Sequence, residues 1–121
     1  MKHWKAHYMM VSKGEIWLAN LNPVKKSNEV GKVRPVYILQ TDELNHSPYP
    51  TTIILPLTTV RIEDAEPLRM RVEKRENLKE DSDILIAQVR AIDNSRFVEK
   101  LATLSATEMK KVKRLFDEVV G

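Results

Sequence analysis

Short apolar runs separated by turn residues recur along most of the chain, and they predict β-strands. Segments rich in β-branched and aromatic residues, bounded by Gly, Pro, Asn or Asp, are typical of strands. The runs are Ile16–Ala19, Val36–Gln40, Thr51–Leu57, Leu68–Val72, Asp83–Val89 and a shorter one at Phe97–Thr103. We therefore expect five or six strands.

Two prolines and one alternating run refine these strands. Pro35 biases Arg34 away from helical geometry, so the second strand is expected to begin at this proline. Pro56 removes one ladder hydrogen bond and suggests an edge or a bulge near the end of the third strand. The run Leu68–Val72 alternates apolar and basic residues, which predicts a strand with one face in water.

The remaining segments before residue 105 are predicted as loops and turns. Val24–Val33 is polar and charged, Asp42–Pro50 contains several turn-forming residues, and Asp93–Ser95 is expected to reverse the chain. Glu76–Asp81 is predicted to form a helical turn.

The C-terminal segment predicts an amphipathic helix. Ser105 and Glu108 have the spacing of a capping box, in which each side chain binds an otherwise unpaired backbone amide. Apolar residues then recur at helical spacing opposite a basic face: Met109, Val112, Leu115, Phe116, Val119 and Val120. The apolar face should pack on the sheet, and the basic face is interpreted as solvated surface.

Together these elements predict one α+β domain, in which five to six mostly antiparallel strands form a small barrel-like sheet that is followed by one helix. The domain is expected to span residues 11–121, and Met1–Met10 are expected to form an accessory extension. No repeat or low-complexity tract divides the 121-residue sequence.

Composition narrows the classes of function. Cysteine is absent, which excludes disulfides and thiol catalysis and fits a reducing cytoplasm. No apolar run approaches the roughly 20 residues that a membrane-spanning helix requires. We therefore predict a cytoplasmic protein with no membrane partner.

The positive charge is unevenly distributed along the sequence. The formal net charge is +3, and Lys2 and Lys5 in the extension carry two of those charges. Residues 11–40 hold five basic side chains against two acidic ones, gathered around one loop. Such a loop can contact a few phosphates, although a solvated loop explains the charge equally well.

Most familiar catalytic motifs are missing. The sequence contains no phosphate-binding loop, no dinucleotide fingerprint and no nucleophile elbow. His3 and His7 lie in the extension, and His46 stands alone in a Pro-rich loop. The sequence therefore gives little support to a ribonuclease with two catalytic histidines, and it predicts no metal site.

Several segments resemble the MazF/PemK family of toxins. Gly14–Leu18, Asn22-Pro23 and Val33–Val36 resemble the family's opening signature, and Ile53–Thr59 resembles its central strand. Gln88–Asp93 resembles its third block, and the region from Lys100 through the capped helix resembles its end. Order and approximate spacing agree from Gly14 to Val120.

The resemblance implies a homodimer of SH3-like barrels that cleaves single-stranded RNA at short preferred sequences. In this family the substrate's own 2′-hydroxyl attacks the phosphate, and neither a metal nor another cofactor takes part. The resemblance also implies a cognate antitoxin, whose disordered acidic segment folds on the toxin surface.

Two residues match the family's catalytic pair. Arg34 matches its arginine, and a guanidinium that stays charged can bind two phosphate oxygens at once. Thr58 matches its threonine, whose hydroxyl can orient the phosphate or relay a proton. Thr59 is the adjacent competitor, because a shift of one residue in the match would exchange the two.

Further residues are expected to bind RNA. They are Thr59, Gln88 and five residues of the basic loop, namely Lys25, Lys26, Ser27, Glu29 and Lys32. The amide of Gln88 can both donate to and accept from a base. The loop departs from the family pattern by one extra residue, for which Asn28 is the candidate, and Ala87 stands where some relatives have an acid. Tyr49 is a candidate for stacking on a base, whereas Trp17 is expected in the core.

Two other functions remain open at this point. A toxin similar to CcdB has the same barrel but binds DNA gyrase without catalysis. An inactive RNA-binding barrel would use the basic loop only for phosphate contacts. A matched arginine and threonine favour the nuclease, because a gyrase binder has no chemical need for that pair.

Overall fold

The computed structural model describes residues 10–21 and 33–121, and these form a sheet with one long helix. The strands are β1 (Glu15–Asn20), β2 (Val33–Ile38), β3 (Thr51–Thr58), β4 (Arg69–Val72), β5 (Ser82–Leu85), β6 (Arg90–Asp93) and β7 (Phe97–Thr103). The helices are α1 (Asp42–Asn45), a 3-10 turn (Asn94–Arg96) and α2 (Ala106–Val120).

The sheet is antiparallel throughout the described residues. Its strand order is β4-β5-β3-β2-β1-β7, and β6 also pairs with β3. The predicted α+β class, the antiparallel strands and the C-terminal helix are confirmed. The seven strands exceed the predicted five or six because the predicted strand Asp83–Val89 ends at Leu85 and an unpredicted strand, β6, follows it. The pairing order describes an open sheet.

The turn between β5 and β6 explains the position of Pro56. The chain leaves β5 after Leu85, turns at Ile86–Ala87 and returns as β6, and both strands pair with the same side of β3. The register joins Ile54 to Arg90 and Leu57 to Ile84, so Pro56 lies in the gap between the two neighbours. The prediction of an edge strand is wrong: β3 is central, and its proline lies where a ladder hydrogen bond is already interrupted.

Three local predictions need correction. Strand β2 begins at Val33 rather than at Pro35, which pairs with Leu18 of β1. Part of the predicted loop Asp42–Pro50 is the short helix α1. Glu76–Asp81 contains no helical turn; Arg75 and Leu78 form an isolated bridge around a tight turn, with Glu76 at φ 50°.

The two faces of the sheet bury different clusters. On one face α2 packs against Ile16, Tyr37, Leu57 and Ile84 through Val112 and Leu115, among others. The other face carries a smaller cluster that includes Trp17, Val36, Ile38, Ile54 and Phe97, where the Trp17 and Phe97 rings meet edge to face at 6.0 Å. Trp17 is therefore a core residue, as the sequence predicts.

Helix α2 begins as the sequence predicts. The Ser105 hydroxyl accepts the Glu108 amide and the Glu108 carboxylate accepts the Ser105 amide, so the capping box is complete. Exposed basic residues on α2 pair with its acidic residues, as in Lys113–Asp117 and Arg114–Glu118. This part of the basic face is therefore neutralised surface.

Glu108 also ties α2 to the hairpin that follows β4, and this predicts a pH-dependent stability. Arg75 binds its carboxylate at 2.6 and 2.8 Å, and these hydrogen bonds lower the pKa of Glu108 to about 2 from 4.5. A lowered pKa stabilises the fold above pH 4.5, and the contribution is lost as the pH falls from there towards 2. We expect Glu108→Gln to lower the free energy of unfolding at pH 7 by about 1–2 kcal/mol, and this difference to vanish near pH 2.

Urea denaturation of both proteins between pH 7 and 2 measures that difference. Glu118→Gln, which breaks only an exposed pair on the same helix, is the matched control and should change stability by less than about 0.5 kcal/mol. A Glu108→Gln effect that stays constant across the pH range would contradict the assignment.

Gly14 occupies a backbone position that only glycine adopts without strain. Its φ is 91°, and a Cβ there would lie 2.5 Å from the Met109 sulfur. We expect Gly14→Ala to destabilise the protein by about 1–3 kcal/mol, because alanine is strained at this φ and its Cβ also displaces the Met109 side chain. Thermal unfolding measures this, with Gly121→Ala as control, since Gly121 also has positive φ but no neighbour within 4 Å. Equal loss in both variants would show that packing at Met109 is irrelevant.

Candidate active site

The sheet presents a row of polar side chains at one end of the face opposite α2. Strands β2 and β3 pair Val36 with Pro56, and continuing this register by two residues on each strand places Arg34 opposite Thr58. Thr58 lies opposite Asp83 of β5, which in turn lies opposite Arg71 of β4. Directly opposed residues point to the same face, with Cβ atoms about 5 Å apart. The row thus crosses four strands.

Arg34 has an accessible guanidinium within this row. The side chain is half-buried at the start of β2, and Arg34 pairs through its backbone with Ala19 of β1. Arg69 and Arg71 bind a carboxylate, whereas within residues 10–21 and 33–121 Arg34 has no hydrogen bond or ion pair through its side chain. No described neighbour neutralises its charge, so the guanidinium can bind a phosphate group.

Thr58 has a hydroxyl whose proton is free to donate. The Thr58 Oγ1 accepts a hydrogen bond from the backbone amide of Val60 at 3.1 Å, which closes a turn directly after β3. A hydroxyl carries one proton and two lone pairs, so this acceptor role leaves the O–H available. Arg34 and Thr58 together can bind three oxygens of one phosphate group.

Thr59 lies on the other side of the sheet. It is exposed and lines an open groove of about 390 Å³ together with Leu18, Pro35, Leu78 and Leu101, among others. Leu78 and Leu101 belong to the cluster on which α2 packs. The two neighbouring threonines therefore face different surfaces, and Thr58 is the one that shares a face with Arg34.

Gln88 is exposed in the turn between β5 and β6, where its backbone amide binds the Leu85 carbonyl at 3.1 Å. Its side chain makes no hydrogen bond to Arg34 or Thr58. Strand β6, which follows this turn, carries Arg90, whose guanidinium donates to the Leu21 carbonyl at 3.3 Å. This bond links the strand after Gln88 to the end of β1.

The five predicted RNA-binding residues of the basic loop, Lys25, Lys26, Ser27, Glu29 and Lys32, lie outside the described residues. The strands on either side of that loop are described. Asn20 pairs with Val33, and Ala19 pairs with Arg34. The loop is therefore joined to the sheet beside Arg34.

Asp83 and the arginines that bind it were not among the site residues predicted from the sequence. The alternating run Leu68–Val72 suggested a strand with a solvated basic face, but Arg69 and Arg71 bind Asp83, whose side chain is only 1% exposed. The Arg71 Nε to Asp83 Oδ1 distance is 2.6 Å. The signal that was available is an aspartate inside the apolar run 82–86, since buried carboxylates need cationic partners.

Two other candidates lie away from this row. His46 interacts with Ser12 at 2.9 Å and lies 3.8 Å from Asp42, which gives it a structural role, and His3 and His7 lie outside the described residues. Tyr49 is exposed, but it precedes the start of β3 while Thr58 ends that strand. The strand rise separates them by roughly 25 Å, so Tyr49 does not contribute to this row.

Two further observations concern metals and membranes. No group of three or more His, Cys, Asp or Glu side chains suited to holding a metal ion occurs in the described ranges. None of the helices in the described part of the chain has the length and apolar character needed to cross a bilayer.

Comparisons with known proteins agree with this fold. The family profile described as PemK-like, MazF-like toxin of type II toxin–antitoxin system matches residues 12–120. A curated relative, Endoribonuclease MazF of Staphylococcus saprophyticus, is 40% identical over 114 residues, which cover 93% of this chain and 92% of the relative.

Solved structures share the fold at lower identity. The MazE–MazF crystal structure (Form-II) from Deinococcus radiodurans matches with a TM-score of 0.76 at 21% identity, covering 93% of this chain and 97% of that one. A mycobacterial endoribonuclease in complex with its cognate antitoxin matches with a TM-score of 0.73 at 14% identity, covering 92% and 95%. The family profile and the curated relative show that the chain belongs to the PemK-like, MazF-like toxins of type II toxin–antitoxin systems.

Proposed function

We propose that this protein is an endoribonuclease toxin that cuts single-stranded RNA, with Arg34 and Thr58 as its catalytic residues. The observation that supports the proposal is the register of β2 and β3, which, continued by two residues beyond the Val36–Pro56 pair, brings a guanidinium without a described carboxylate partner opposite a hydroxyl. The 40% identical relative named an endoribonuclease supports the same activity.

The reaction we propose is an internal transfer at one phosphate. The 2′-oxygen of the ribose bonds to the adjacent phosphorus, the bond to the 5′-oxygen of the next nucleotide breaks, and a 2′,3′-cyclic phosphate and a 5′-hydroxyl result. The attacking hydroxyl loses one proton and the leaving oxygen gains one. Negative charge grows on the phosphate oxygens, and donors aimed at that charge lower the barrier.

Arg34 and Thr58 divide this work. The Arg34 guanidinium forms paired hydrogen bonds to two phosphate oxygens and supplies a fixed positive charge, the role that a metal ion plays in other nucleases. The Thr58 O–H donates to the phosphate and fixes its orientation for in-line attack. We assign Arg34 charge stabilisation rather than proton transfer, because a guanidinium stays charged and gives up its proton slowly.

RNA on either side of the cut is proposed to follow the neighbouring surfaces. The basic loop, with Lys25, Lys26 and Lys32, joins the sheet beside Arg34 and would contact phosphates. Gln88 would read a base through its exposed amide. Thr59 faces the groove on the α2 side and would contact RNA only where the strand passes around that edge.

Partners follow from the family. We propose a cognate antitoxin as binding partner, because the mycobacterial endoribonuclease is in complex with its cognate antitoxin and the Deinococcus structure contains MazE with MazF. A homodimer and a cytoplasmic location are likewise proposed, as is the division into an accessory segment at 1–10 and a toxin domain at 11–121. The family match over residues 12–120 supports that boundary.

An RNA oligonucleotide in excess EDTA tests the chemistry. We expect cleavage to persist in EDTA, to leave a 5′-hydroxyl, and to stop when the nucleotide before the cut carries 2′-deoxyribose, because the attacking oxygen is then missing. A matched oligonucleotide with 2′-deoxyribose at a distant position is the control. Cleavage of the 2′-deoxy substrate, or its loss in EDTA, would overturn the mechanism.

A gyrase-binding function is less well supported. The relative at 40% identity is named an endoribonuclease, and the polar row supplies a phosphate site that a protein ligand would not require. Inhibition of gyrase supercoiling by protein that leaves RNA intact would favour it.

A further inference from the structure

A buried carboxylate lies directly beside the proposed catalytic threonine. Asp83 pairs with Thr58 across β3 and β5, and its side chain is 1% exposed. Its position in the row places it on the same face as Thr58. Nothing in the proposed reaction uses this carboxylate.

The carboxylate is fully engaged by three donors. Arg71 Nε binds Oδ1 at 2.6 Å, while Arg69 Nη1 at 3.1 Å and the backbone amide of Ile62 at 2.9 Å bind Oδ2. Burial acts to raise the pKa of Asp83, but these donors outweigh it, and the pKa lies below its ordinary value. A buried carboxylate with a lowered pKa does not take a proton from RNA.

The same arginines hold the segment that follows Thr58. Arg69 Nη1 donates to the Val60 carbonyl at 2.8 Å, and Arg71 donates to the Glu63 carboxylate at 3.1 Å. The Val60 amide in turn donates to the Thr58 hydroxyl. A continuous chain of hydrogen bonds therefore runs from Asp83 through Arg69 and Val60 to Thr58.

Direct RNA contact by these arginines is disfavoured by their surroundings. The open groove beside them, of about 470 Å³, is lined by Glu63, Asp64 and Glu66 as well as Asp83. Lys111 neutralises Glu66, which leaves three carboxylates against Arg69 and Arg71, and this excess of negative charge disfavours phosphate.

We propose that Asp83 is a positioning residue: with Arg69 and Arg71 it fixes residues 60–62 and thereby orients the Thr58 hydroxyl toward the phosphate. The inference rests on the proposed function. A hydroxyl can rotate freely, so holding one of its lone pairs with a fixed amide restricts where its proton points. Misplacement of a catalytic group by even about 1 Å can cost a large factor in rate.

Asp83→Asn tests this role, because asparagine is nearly isosteric but cannot hold two arginines. We expect the single-turnover rate at saturating RNA to fall about 10-fold with little change in KM, and amide hydrogen exchange at Val60 and Ile62 to accelerate. Glu108→Gln is the matched control: it breaks a carboxylate–arginine pair remote from the row and should leave the rate unchanged.

A double variant separates positioning from general stability. In a Thr58→Val background the hydroxyl is gone, so Asp83→Asn should lower the remaining rate by less than about 2-fold. A merely structural role predicts the same 10-fold loss in both backgrounds, and that result would overturn the proposal. An unchanged rate in Asp83→Asn alone would overturn it as well.

Two further measurements complete the test. If Asp83→Asn does not fold, Arg69→Met removes the bond to Val60 while leaving the Asp83–Arg71 pair, and the same rate loss and Val60 exchange are expected. Unaltered rate and exchange in folded Arg69→Met would reject the proposal. Failure of the folded wild type to cut RNA would reject the proposed function instead. Exchange at Val60 would still report whether the hydrogen bonds that hold Val60 exist.

Discussion

Arg34→Ala is expected to lower the rate of RNA cleavage by about 1,000-fold while the protein remains folded. The guanidinium is the only cation in the polar row without a carboxylate partner among the described residues, so no neighbour can replace it at the phosphate. Loss of a donor aimed at developing charge typically costs 10²–10³ in rate, and loss of a charged arginine costs more. Single-turnover cleavage with end-labelled RNA measures the loss.

Two variants control for charge and for folding. Arg34→Lys keeps the charge but not the paired geometry, so an intermediate rate is expected. Arg114→Ala removes an exposed arginine of α2 that is paired with Glu118, and it should leave cleavage within 2-fold or so of wild type. Equal rates for Arg34→Ala and Arg114→Ala would remove Arg34 from the active site.

Thr58→Val is expected to lower the cleavage rate by about 100-fold. Valine keeps the branched shape at the end of β3 but cannot donate to the phosphate, and it also releases the Val60 amide. Single-turnover rates at saturating RNA measure this effect, because the loss should appear in the rate of the chemical step rather than in binding.

Thr59→Val is the matched comparison for Thr58→Val. Both replace a threonine by valine at adjacent positions, but Thr59 faces the groove on the α2 side. A loss of less than about 5-fold is expected there, since any contact with RNA at that edge is peripheral. If the two variants lose activity in the reverse order, the catalytic threonine is Thr59 and the assignment of faces is wrong.

Local patterns predicted the elements that depend on neighbouring residues in the chain. The capping box of Ser105 and Glu108 and the apolar spacing of α2 are properties of one short segment, and the structure confirms both. The strand around Trp17 is confirmed for the same reason, with β1 extending one residue beyond the predicted run at each end.

Elements that depend on pairing across the sheet could not be predicted in the same way. A continuous apolar run does not say where a strand ends, so the turn at Ile86–Ala87 was missed and β6 was not predicted. Whether Pro56 marks an edge depends on which strands flank β3, which is set by the long-range register. The turn at Glu76, likewise, is fixed by the Arg75–Leu78 bridge rather than by helix-forming residues.

The candidate site shows the same limit. Resemblance to the family supplied Arg34 and Thr58 as separate residues, but only the β2–β3 register brings them to one face and sends Thr59 to the other. Asp83 was not predicted because its two arginine partners lie on another strand, β4, and its third donor, the Ile62 amide, lies in the loop after β3. Its place beside Thr58 follows from tertiary pairing alone.

Incubation of the purified protein with a long unstructured RNA in excess EDTA, followed by mapping of the new 5′ ends, is the most direct test of metal-independent RNA cleavage by Arg34. We expect cuts at a few recurring short sequences, each leaving a 5′-hydroxyl, and their disappearance in Arg34→Ala. Intact RNA after incubation with folded, antitoxin-free wild-type protein, or cuts that persist in Arg34→Ala, would contradict it.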